Sequence, residues 1–158
     1  MGVFGLYRIW SFVQPRPVID QYAPQPWRSL EKVYHDTVAG GFKPNWVCKN
    51  DREFKAAFQR RLGQALLLPP PPPGVAWAGL DYSNSITPQT MFLLTWVRGK
   101  EVIVFADRNE FDKGQSLPPE SGLHLFRRQV GKLVLYECTP YDQPSVLEEF
   151  YIPDIVGP

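Results

Sequence analysis

Cysteine and histidine are scarce in this chain: its 158 residues hold only Cys48, Cys138, His35 and His124 from the two types. So small a set contains no Cys-x-x-Cys or other metal-ligand spacing, and no metal or other cofactor is expected. A disulfide framework is not required either, because a chain of this length buries roughly two-thirds of its surface on folding alone. The two thiols read as buried structural side chains, with a single disulfide or a functional thiol as alternatives. Charge of one sign is not in excess: 17 Lys plus Arg face 16 Asp plus Glu, for a net charge of +1. That balance argues against nucleic acid as a partner, since phosphate binding needs clustered cations. No apolar run approaches the roughly 18–20 residues that span a bilayer. Catalytic signatures are missing as well. Ser83, Ser85, Ser116 and Ser121 lack a G-x-S-x-G context, and no glycine loop leads into Lys-Ser or Lys-Thr.

Proline and aromatic residues are plentiful, at 17 prolines and 14% aromatics. Together they describe a folded domain with stiff connections, because disordered chains lack the aromatics. The chain divides into residues 1–26, an apolar arm with a proline-rich linker, and residues 27–158, a single domain. Residues 1–13 are apolar but interrupted by Arg8, without the basic start and small-residue cleavage site of a signal peptide. They read as an element of the fold, a membrane-surface segment or the end of a removed spanning helix. Tyr7-Arg8-Ile9-Trp10 suits a bilayer interface and a core edge equally. Four prolines between Gln14 and Pro26 then impose an extended linker.

A short helix is expected near 27–36, with Trp27, Leu30, Val33 and Tyr34 on one apolar face, Pro26 near its start and Gly40-Gly41 as its stop. The strongest local signal follows at 51–62. There Asn50 or Asp51 can cap a helix, Phe54, Phe58 and Leu62 recur four apart, and Gly63 closes the end. Asp51 and Glu53 complement the positive helix start, Arg60 and Arg61 the negative finish. Pro69 to Pro73 and Gly74 read as a stiff connector, with docking on an aromatic groove of a partner domain as the alternative. Beyond it the pattern turns to strands: 75–82, 90–97, 101–106, 123–127 and 133–138. Glycine turns at Arg98-Gly99-Lys100 and Val130-Gly131-Lys132 make two hairpins. Near-continuous apolar runs at 91–94 and 102–105 predict a sheet covered on both faces. A last short helix is expected at 144–151, with Val146, Leu147 and Phe150 inward. The predicted class is α+β: an antiparallel sheet built from hairpins and packed by the 51–62 helix.

Few residues suggest chemistry. Cys48 precedes a helix start, a position that lowers a thiol's pKa, and His35 or His124 would be its base; Asp51 opposes the thiolate. Asp81, Glu101 and Asp107 at strand ends could pair as acid and base, a set any α+β domain offers. Strand alternation puts His124, Phe126 and Arg128 on one face, able to receive a carboxylate or an acidic partner surface, or to serve as a solvated edge. Tyr82, Trp96, His124 and Arg128 are the expected partner-binding residues, because aromatics and arginines anchor interfaces.

Residues from about 54 to 150 carry a further pattern: Phe58-Gln-Arg-Arg-Leu-Gly63, Val75-Ala-Trp-Ala-Gly79, Met91 to Lys100 leading into Glu101-Val-Ile-Val-Phe105, Gly122-Leu-His-Leu-Phe126, and Gly131-Lys-Leu-Val-Leu-Tyr136 before a short acidic helix. This order resembles the sensor-side C-terminal domain of membrane-anchored anti-sigma factors. The resemblance implies a small extracytoplasmic module, anchored by a preceding membrane helix, that makes protein contacts and catalyses nothing. The chain departs from the family in having neither a membrane helix nor a Cys/His sigma-contacting domain before the module. The expected function is a non-enzymatic regulatory or protein-interaction module with a protein partner, membrane-associated through residues 1–13. A small thiol enzyme using Cys48 and a small-ligand-binding domain are the alternatives.

Overall fold

The computed structural model describes residues 25–153, and the apolar arm at 1–13 lies outside them. Five runs rich in β-branched and aromatic residues become strands β1 (Val75–Tyr82), β2 (Met91–Val97), β3 (Lys100–Arg108), β4 (His124–Val130) and β5 (Leu133–Thr139). They form one antiparallel sheet in the order β1-β2-β3-β5-β4. The chain crosses β5's position between β3 and β4 and returns by a hairpin, so β4 lies at the edge. Both expected hairpins form. Arg98 and Gly99 each have positive φ (49° and 81°), the type I′ pattern, whereas only Gly131 does in the second turn (57°), the type II′ pattern.

Two helices cover the sheet, one on each side. Helix α1 (Leu30–Ala39) lays Leu30, Val33 and Tyr34 against Phe92, Leu94, Phe105 and Tyr136. Helix α2 (Asp51–Leu62) is capped by Asn50, whose side chain accepts from Glu53 N, and ends at Gly63 in the left-handed region. It lays Ala57, Phe58 and Leu62 on the opposite face, against Leu80, Leu93, Val104 and Leu135. The α+β class, the antiparallel sheet and its double cover are as the sequence predicts.

Two local expectations are corrected. Trp27 does not belong to the α1 face: Ser29 caps the helix, and Trp27 stands before it, 65% exposed, with its indole N–H donating to Ser85 O at 2.9 Å. The segment at 144–151 is not an α-helix but a single 3-10 turn at Leu147–Glu149, although Val146, Leu147 and Phe150 point inward as expected. In an α-helix Tyr151 N–H would donate to Leu147 O. Here Leu147 O accepts from Arg128, and Tyr151 N–H donates to Leu67 O. The sheet and the 64–68 segment satisfy this backbone group by group, so no helical ladder is needed.

Candidate functional site

The four residues expected to bind a partner do not converge. Tyr82 ends β1, tilted against Trp46 (ring centroids 4.5 Å apart) and covered by the Arg61 guanidinium at 3.4 Å. Trp96 faces the α1 side, edge-on to Phe42 at 5.0 Å. His124 and Arg128 share the other face of β4, on the far side of the sheet from β1, as alternation requires. His124 is exposed, its ring stacked with Phe126. Arg128 is engaged within the fold. Its Nη1 donates to Leu147 O (2.9 Å) and Phe150 O (2.8 Å), and Nε lies 3.6 Å from Glu148. A charged donor to two carbonyls is worth more than a neutral one, so Arg128→Ala is expected to cost about 2 kcal/mol in a denaturant titration. His124→Ala is expected to shift the same midpoint by less than about 0.5 kcal/mol.

Cys48 is half-buried beside Trp46. Burial, only partly offset by a hydrogen bond with Trp46, pushes its thiol up to about 12. Burial likewise pushes Cys138 up to about 12. Cys48 packs with the α2-side core and Cys138 with the α1-side core, both as free thiols. His35 sits on α1, edge-on to Tyr34 and near Glu31, away from Cys48's layer. The helix start below Cys48 does not prevail over desolvation, because Asn50 already serves Glu53 N and Glu53 reaches back to Lys49 N. Cys48 is therefore expected to stay silent to a mild alkylating reagent near pH 7 and to react stoichiometrically once denatured.

Ionisable groups in the interior hold backbone. Asp107, fully buried, accepts from Thr87 N, Thr87 Oγ1, Thr90 Oγ1 and Arg108 N, fixing the β1–β2 loop. Glu101 and Asp81 do not join it: Asp81 accepts from Asn45 Nδ2 at 2.7 Å on the β1 side. Sequence reasoning missed Glu137, whose carboxylate is also fully buried. Its Oε2 accepts from Ser145 N (2.6 Å), and its Oε1 from Val146 N (2.9 Å) and Leu147 N (2.8 Å). A lone acid inside the apolar run 133–138 was the signal available for it.

Among the surface depressions of the described residues, two flank the sheet edges. A groove of about 310 Å³ lies between α2, the proline connector and β1, lined by Cys48, Phe54, Leu68, Pro69 and Trp77, with exposed Val47 and Tyr151 at its rim. A wider one of about 640 Å³ runs beside β4, between Leu123, Leu125 and Arg127 and the loop from Gly114 to Pro119. Below it Asp112 receives Tyr136 Oη (2.8 Å) and Arg127 Nε (2.9 Å). Burial pushes the Asp112 carboxyl up, and those two donors outweigh it to hold its pKa below the ordinary value. Among the described residues no group of three or more His, Cys, Asp or Glu is placed to hold a metal ion. Comparison with protein-family models, curated proteins and solved structures gives no match.

Proposed function

We propose that this chain is a non-enzymatic regulatory module that acts by binding a protein, near a membrane through residues 1–13, in keeping with its anti-sigma-like sequence pattern. The observation that carries the reading is the unequal treatment of the two sheet edges. At β1, Trp46 and Leu80 exchange both backbone hydrogen bonds, at 3.3 and 3.0 Å, and cover the edge at Leu80. At β4, no described backbone segment pairs with the outer side. The arginines of β4 guard that edge against self-pairing, while its open backbone beside a groove is suited to receiving a complementary chain. The engagement of Asp107, Glu137 and Arg128 in holding backbone, with thiols far from ionisation, supports the non-enzymatic part. Among the described residues no helix is long and apolar enough to cross a membrane.

The test is co-purification of the tagged full chain from its native extract, with and without residues 1–13, read by mass spectrometry. A stoichiometric protein partner supports the module, and its loss on removing 1–13 supports the membrane-proximal part. If both chains come down alone, the reading fails. The apolar groove beside Cys48 and Trp77 favours a second reading, a small-ligand carrier. A thermal-shift screen in which no apolar compound stabilises the protein counts against it.

A further inference from the structure

We infer that the outer edge of β4 accepts an extended, acidic peptide segment of a partner as a sixth strand. The inference rests on the interaction-module reading and assigns its docking site. The two-residue turn at Gly131-Lys132 makes Val130 and Leu133 a hydrogen-bonded pair, so alternation assigns Arg128, Phe126 and His124 to bonding with β5. Leu125, Arg127 and Gln129 therefore direct their N–H and C=O groups away from β5. Among the described residues none of these backbone groups has a hydrogen-bond partner. Three consecutive outward dipeptide units are enough to template a short added strand.

Side chains specify the occupant. Residues of an added strand opposite Leu125 and Arg127 point to the same face as those two, into the 640 Å³ groove. Leu117, Pro118 and Leu123 give that groove an apolar floor suited to an aliphatic side chain. Charge selects the rest. β4 carries His124, Arg127 and Arg128 and no carboxylate. Glu148 approaches Arg128 from outside the strand, whereas Arg127 commits two of its five N–H donors, to Asp112 and Asn109, and remains 46% exposed. A carboxylate on the incoming strand finds Arg127 donors still open on the groove face, and His124 lies exposed on the opposite face. The same charges disfavour a second copy of this chain, because two-fold pairing about Arg127 opposes two guanidinium groups. A basic strand is disfavoured on the same ground.

The probe is a displayed library of random seven-residue peptides selected against the full chain, with counter-selection against Gln129→Pro. Proline at an outward position of an edge strand removes one open donor and leaves the β5 ladder intact. Enriched sequences are expected to carry an aliphatic residue and a carboxylate two positions apart, on one face of the strand. The best peptide is expected to slow hydrogen exchange at the amides of Leu125, Arg127 and Gln129 at least tenfold. His124→Glu, at an exposed side chain outside the core, is expected to weaken binding several-fold without lowering stability. Winners without carboxylates, no enrichment over Gln129→Pro, or protection that maps to the groove at Trp77 instead would overturn the assignment. Concentration-dependent protection of the same three amides in the free protein would overturn it in favour of self-pairing. A co-purified partner whose footprint spares β4 would sink the edge assignment alone. Absence of any partner would sink the module reading itself.

Discussion

Replacing Glu137 with alanine is expected to destabilise the fold by about 3–5 kcal/mol, among the largest effects of any single side-chain truncation outside the apolar core. Three N–H groups, those of Ser145, Val146 and Leu147, lose their only described acceptor, and each buried unpaired donor costs about 1–3 kcal/mol. The 144–151 segment should loosen first, uncovering Val146, Leu147 and Phe150 and the sheet face beneath them. At roughly 2–4 °C per kcal/mol, the melting temperature should fall by about 10 °C. Glu137→Gln keeps one acceptor oxygen but sets an NH2 against a remaining donor, so an intermediate loss is expected.

The same residue predicts a pH dependence. Burial raises the Glu137 pKa above its ordinary 4.5, and the three backbone donors only partly offset that. The folded state thus holds this proton more tightly than the unfolded chain does. Its contribution to stability is greatest below about pH 4.5 and is lost as pH rises through the raised value. Asp112 acts with the opposite sign: its lowered pKa stabilises above the ordinary Asp value of 3.8, and that contribution is lost as pH falls further. Urea titrations at stepped pH should show the fall above pH 4.5 in the wild type and its absence in Glu137→Ala. Identical pH slopes in the two proteins would refute the assignment.

Strand positions were legible because the apolar runs are bounded by turn residues, and glycine turns at Gly99 and Gly131 fix the register and type of two hairpins. Helix α2 was legible because cap, charge bias, periodicity and terminal glycine agree. What escaped was long-range. Nothing in the local pattern says that β5 inserts between β3 and β4, which decides which strand is left at the edge. Trp27 fits an apolar spacing with Leu30, yet Ser29 is the better cap and the indole N–H finds Ser85 O, 58 positions away. Arg128 reads as a surface cation because its carbonyl partners lie at Leu147 and Phe150 in a segment that looked helical. The candidate site divides likewise: shared faces such as His124 with Arg128 follow from alternation, whereas the separation of Tyr82 and Trp96 from them follows from strand order.

Gly79→Ala is expected to open the covered edge of the sheet. The β1–β2 register slips between Trp77 and Gly79, leaving a bulge at Ala78. The bend lets the 44–46 segment lie directly on Gly79. A Cβ there would come within 2.6 Å of Pro44 Cβ, Pro44 Cγ and the Trp46 backbone oxygen. Rotation of a side chain cannot relieve contact with a backbone oxygen, so the 44–46 segment must lift. The paired hydrogen bonds between Trp46 and Leu80 then break, and Trp46 loses its packing on Tyr82. Overpacking with these losses should cost about 3 kcal/mol. Two results are expected together: a lower denaturation midpoint and concentration-dependent association, since β1, unlike β4, carries no arginine or lysine to blunt an exposed edge. Size-exclusion chromatography across a dilution series separates them. If Gly79→Ala unfolds more easily but stays monomeric at every concentration, the Trp46 bridge contributes stability without guarding the edge. The contrast with β4 would then lose its physical basis.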